Sequence, residues 1–160
     1  MKKLFFILII FFNFNYAYSL IEVDITRGNL DPLPIAVSPL HVDAQSDNLQ
    51  DIKVKELGDL ISSVIESNFR STGLFNPLNK DAFVQKPDIA HLKPRFEDWS
   101  LITAQALVTG KILIKDNKLK VEFRLWDVAA AKEMVALAFT TTPTNWRRVA
   151  HIISDKIYER

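Results

Sequence analysis

The residues best suited to metal or proton chemistry in this chain of 160 residues are its three histidines, at positions 41, 91 and 151. No two share the i, i+4 spacing that sets a pair of imidazoles around zinc on one helix face. His151 falls off the apolar stripe of the helix expected around it, which makes it a surface residue. Asp43, Asp47 and Asp51 are a second set with ligand chemistry. A calcium loop needs acidic oxygens at alternate positions and a central glycine, and neither is present. The three carboxylates run instead into an expected helix start, where negative charge interacts favourably with the macrodipole.

Nucleophile and phosphate chemistry find equally little support. There is no cysteine, and glycine occurs only at 28, 58, 73 and 110. No glycine-rich phosphate cradle and no Gly-x-Ser-x-Gly elbow can be built from these. Catalysis stays open only through distant residues that converge in space, so the sequence points to a protein that is not an enzyme and needs no cofactor. Lys111, Lys115, Lys118 and Lys120 surround one expected hairpin. Asp116 and Glu122 interrupt that set, and no aromatic residues interleave for base stacking. With 20 basic against 19 acidic residues, the charge is not that of a nucleic-acid footprint, and a solvated face is the stronger reading.

The elements that must position these residues begin after an export signal. Met1-Lys2-Lys3 is a basic start, Leu4 to Phe12 is unbroken apolar sequence, and Ala17 and Ser19 are small residues before an expected cut between Ser19 and Leu20. The apolar core is shorter than the roughly 20 residues of a spanning helix, so a cleaved signal over 1–19 and no integral membrane span are expected. Without a cysteine there is neither a lipid acceptor thiol nor a disulfide, and the exported fold must be stabilised by its core. Losing Lys2 and Lys3 leaves 18 basic residues against the 19 acidic ones, a net charge near −1.

A strand is expected over Ile21 to Thr26, where apolar and polar residues alternate, and another over Ile35 to Leu40. Asp47 with Gln50 three residues on predicts a capping box, and the apolar stripe that follows predicts a helix closed by Gly73. Gly58 inside that helix marks close packing on a neighbour. Leu74 to Leu78 is a short extended piece, Asn79 to Pro94 a loop with about one helical turn, and Arg95 to Thr103 a short helix turning Trp99 inward. Ala106 to Ile114, Lys118 to Asp127 and Met134 to Thr142 read as a three-stranded meander, with a turn at Asp116-Asn117 and with Leu119, Val121, Phe123 and Leu125 on one face. Thr144 is expected to cap a final helix whose Trp146, Val149, Ala150, Ile153 and Ile157 share a face. The fold class is therefore α/β of the α+β kind: a mixed sheet covered by two amphipathic helices.

PIAVSPL at 34–40, FRSTGLFNPL at 69–78, ALVTGKI at 106–112, VEFRLWDV at 121–128 and WRRVAHIISDKIYER at 146–160 resemble, in order, the amino-terminal domain family of the Tol-Pal protein TolB. The closing helix is the most specific of these segments. One departure is Val128 to Glu133, where many relatives carry glycines in the hairpin turn. The resemblance implies a fold similar to anticodon-binding domains over 34–160, in a periplasmic protein whose relatives continue into a six-bladed propeller that binds the lipoprotein Pal. It implies a mobile strand and linker over 20–33 that binds TolA through Leu20, Ile21, Glu22, Val23, Asp24, Ile25 and Thr26. The family role is adaptor, in outer-membrane invagination during cell division and in outer-membrane integrity. Because relatives continue past Arg160, a fragment or truncated product is expected, and an inert remnant without Pal binding is the alternative.

Overall fold

The computed structural model describes residues 31–48 and 53–160. The first strand, β1, is Leu33–Val37, and it lies between two parallel neighbours, β3 (Phe75–Pro77) and β4 (Ala106–Lys115). A strand paired on both sides and packed on both faces must be apolar throughout, and Leu-Pro-Ile-Ala-Val meets that requirement. Ile35 and Val37 enter one core cluster and Ala36 the opposite one. This strand is registered earlier than the expected 35–40, because Leu40 lies past its end, buried but unpaired in the ladder.

The sheet runs β3-β1-β4-β5-β6, where β5 is Lys118–Asp127 and β6 is Lys132–Thr141. A further two-residue strand, β2 (His41–Val42), pairs in parallel with β4 beyond the end of β1. From β4 to β6 the strands form the expected antiparallel meander. Asp116 and Asn117 turn the first hairpin with φ of 49° and 56°, the two positive dihedrals of the tight turn that matches strand twist. The second hairpin turns through Val128–Ala131, and Ala131 takes φ of 50°. That is the left-handed conformation that glycine favours, here taken by an alanine.

Two helices cover one face of the sheet. Helix α1 (Leu57–Thr72) buries Leu57, Ile61, Ile65 and Phe69, which recur every four residues. It closes at Gly73 with φ of 69°, as its left-handed cap requires. The closing helix, α4 (Trp146–Tyr158), buries Val149, Ala150, Ile153 and Ile157. With the inward row Leu119, Val121, Phe123 and Leu125 of β5 they form one core, α4 lying over β5 and β6 and α1 over β1, β2 and β3. Over part of the opposite face lie two short helices, α2 (Pro87–Ala90) and α3 (Phe96–Leu101). Trp99 of α3 is fully buried there with Ala36 and Leu107.

Two expected caps are absent. Helix α1 starts at Leu57 after a 3-10 turn at Val54–Glu56, with no side-chain cap, so Asp47 is not its N-cap. The Asp47 carboxylate accepts the amide of Asp116 at 3.0 Å, and the Asp47 amide donates to Ile114 O at 2.8 Å. The free donors of the β4 edge and its hairpin turn attract this segment more than a distant helix end does. Gln50 and Asp51 lie outside the described residues. Thr144 likewise caps nothing: Pro143 opens a 3-10 turn over Pro143–Asn145 that runs into α4, with Thr144 Oγ1 3.1 Å from Thr142 Oγ1. A proline with its fixed φ starts that turn without a side-chain cap.

Candidate functional site

Two of the three histidines meet. β2 presents His41, and the end of α2 presents His91, with ring centroids 4.5 Å apart and planes within 5° of parallel. His91 Nδ1 lies 2.9 Å from the Pro87 carbonyl, so that nitrogen carries the proton. Arg124 Nη1 donates to the His91 carbonyl at 3.1 Å and ties the end of α2 to β5. Stacked parallel rings aim their in-plane lone pairs side by side rather than at one point, so this pair packs without forming a ligand set. Among the described residues no group of three or more His, Asp or Glu side chains is placed to hold a metal ion. His151 is exposed on α4, 3.0 Å from the Asn68 amide, in keeping with its sequence assignment to the surface.

A cleft of about 590 Å³ opens beside the histidine pair, between His41–Asp43, Lys55 of the 3-10 turn with Gly58 and Asp59 of α1, and the start of α2 at Pro87-Asp88. Its lining mixes both signs of charge, with Lys55 and Lys86 against Asp43, Asp59 and Asp88. Asp43 accepts the amide of Gln45 at 2.9 Å in a local turn, so this carboxylate serves the backbone.

The lysine set is partly neutralised. Lys120 Nζ lies 2.7 Å and Lys111 Nζ 3.7 Å from the Glu122 carboxylate. The hydrogen bond from Lys120, followed by the charge of Lys111, holds the Glu122 carboxyl below its ordinary value against the opposing effect of burial. Lys115 and Lys118 face each other across the hairpin end and are exposed. A strip in which one glutamate joins two of four lysines is a solvated face.

Gln85 is the polar residue that sequence reasoning missed. It is 3% exposed, and its Oε1 accepts both the Trp99 indole N–H and the Arg95 amide at 3.0 Å. That single oxygen fixes α3 on the segment that leads into it, and no local pattern marks a glutamine for such a role. The expected binding residues, Leu20, Ile21, Glu22, Val23, Asp24, Ile25 and Thr26, and the cleavage site at Ser19 and Leu20 lie outside the described residues.

A mixed sheet with two long helices on one face and short helices over part of the other defines a layered α/β domain of the α+β class. The profile of the family described as the TolB amino-terminal domain matches residues 21–134, and the chain belongs to that family. The Tol-Pal system protein TolB of Pelagibacter ubique (strain HTCC1062) is 68% identical over 146 residues, which cover 90% of this chain and 33% of that protein. The chain therefore spans about a third of that relative's length. The closing helix, the segment of most specific resemblance, lies beyond the end of the family match at 134.

Among solved structures, TolB from Acinetobacter baumannii aligns with a TM-score of 0.60 at 19% identity, over 80% of this chain and 28% of that one. Lipoprotein GNA1162 from Neisseria meningitidis aligns with a TM-score of 0.54 at 12% identity, over 79% of this chain and 97% of that one. At these identities the two structures show the fold alone.

Proposed function

We propose that this chain is a non-catalytic periplasmic adaptor of the Tol-Pal system. It binds TolA through Leu20 to Thr26, and it acts in outer-membrane invagination during division and in outer-membrane integrity. The observation that carries the proposal is the family match over residues 21–134 together with 68% identity to a Tol-Pal system protein. The match starts within the segment assigned to TolA. A signal over 1–19, cut between Ser19 and Leu20, delivers the chain to the periplasm. Residues 20–33 then act as a strand and linker ahead of the α/β domain over 34–160, with the last of them, Leu33, already the first residue of β1. Pal is engaged through the propeller of full-length relatives.

Alternation in Ile21-Glu22-Val23-Asp24-Ile25 supports this reading physically. An extended segment with one apolar and one acidic face can add to a sheet edge, its main chain supplying hydrogen bonds and its side chains selecting the partner. The test is calorimetric titration of a peptide spanning Leu20 to Asp31 into the carboxy-terminal domain of TolA. Saturable binding supports the assignment, and a peptide with Val23 and Ile25 changed to Asp is expected to bind at least about tenfold more weakly, since apolar anchors dominate such contacts. Absence of binding by the unmodified peptide overturns it.

A further inference from the structure

The two edges of the sheet differ. At one end β3 is three residues long and contains Pro77, so it is short and lacks a donor, as protected edges are. At the other end β6 spans ten residues, and among the described residues no strand pairs with its outer side. Its defences are confined to its start. Lys132 and Glu133 are the only charges, and a register shift opposite Leu125/Trp126 bulges the strand at Met134. From Val135 to Thr141 the register to β5 is regular and no residue is charged. Leu137, 41% exposed, lies on this run beside the half-buried Phe139.

We infer that this edge is a self-association surface, on which β6 pairs antiparallel with β6 of a second copy. The segment is self-complementary about Ala138. A two-fold axis there sets Leu137 of each copy opposite Phe139 of the other, on the side of the sheet that α1 and α4 cover. It sets Ala136 opposite Thr140 on the other side, where small side chains let two sheets join flat. Val135 and Thr141 close the pairing at both ends, and no like charges face each other anywhere along it. Identical patches related by a two-fold are the usual form of homodimer contact. Uncharged, regular, unpaired edges favour such pairing unless something blocks them. One strand pair is small for an interface, at or below about 1,200 Å², so the dimer is weak and its population depends on concentration.

The absence of cysteine from the chain permits a clean test. Ala138→Cys in the full chain places one thiol on the two-fold, within reach of its symmetry mate, and Lys156→Cys on α4 is the control. Mild oxidation is expected to give a covalent dimer from Ala138→Cys severalfold faster than from Lys156→Cys. Sedimentation of the unmodified chain over about two decades of concentration is expected to show a monomer–dimer equilibrium. Leu137→Lys, an exposed position whose variant is checked for unchanged circular dichroism, is expected to abolish that equilibrium. Monomer at every concentration, or equal oxidation rates for the two cysteine variants, overturns the proposal. So does protection of β6 amides from hydrogen exchange that does not vary with concentration, because the edge is then filled by a segment of its own chain.

Discussion

Gly58, in the first turn of α1, lies directly against the carbonyl oxygen of Leu40, so close that a Cβ on residue 58 overlaps that oxygen. The Leu40 amide meanwhile donates to the Gly58 carbonyl at 3.3 Å. Helix α1 and the link from β1 to β2 are thus in contact backbone to backbone. The obstruction is main chain, which cannot rotate aside, so Gly58→Ala forces α1 away from the sheet. The expected loss is about 1–3 kcal/mol, read as a lower denaturant midpoint. Alanine's better helix propensity, worth about 1 kcal/mol, offsets only part of it.

Ala131 makes the opposite prediction. It holds φ of 50° with a side chain that this region disfavours, at a cost of about 1–2 kcal/mol relative to a right-handed residue. Ala131→Gly removes that strain and loses part of the gain to the greater freedom of unfolded glycine. A net stabilisation of about 0.5–1 kcal/mol is expected, and thermal unfolding of the variant checks it.

Replacing Gln85 by Leu keeps the volume and removes the acceptor. The buried Trp99 indole N–H and the part-buried Arg95 amide then lose their shared partner. An unsatisfied buried donor costs about 1–3 kcal/mol, so a destabilisation of that size or more is expected. Trp99 fluorescence should shift as α3 loosens, while amide exchange in α1 stays slow under native conditions.

Glu122 supplies a pH dependence with a definite sign. Its carboxyl is held below the ordinary value of 4.5, first by the hydrogen bond from Lys120 and then by the charge of Lys111. A carboxylate with a lowered folded pKa contributes stability that is fully present above the unfolded value and is lost as pH falls through the folded one. Glu122→Gln is therefore expected to be less stable than the parent at neutral pH. The gap should close as pH falls below about 4.5, where the parent loses this contribution. Urea midpoints measured from pH 7 to pH 3 distinguish this from a pH-independent loss.

Elements formed by local rules were legible in the sequence. The alternation of β5 places Leu119, Val121, Phe123 and Leu125 inward, the positive dihedrals of Asp116-Asn117 turn the hairpin, and Gly73 closes α1. Trp99 points inward from a short helix, as its apolar bulk requires. What escaped depends on partners far away in the chain. Asp47 resembles a helix cap until the amide of Asp116 is brought to it across 69 positions. His41 and His91 stack only because β2 lengthens the ladder beside β4, and a two-residue strand has no periodicity to read. Gln85 is hidden for the same reason, its role arising from a tryptophan 14 residues on and an amide ten residues on. The proposed assignment of residues 20–26 to TolA rests on family resemblance alone, since alternation fits an ordinary edge strand as well.

The adaptor role rests on that segment being separable from the folded domain. The most direct measurement compares the chain starting at Leu20 with one starting at Gly28, each titrated calorimetrically with the carboxy-terminal domain of TolA, with circular dichroism recorded for both. The account predicts saturable binding by the longer chain, none by the shorter, and the same fold in both. Equal binding by the two chains would contradict it.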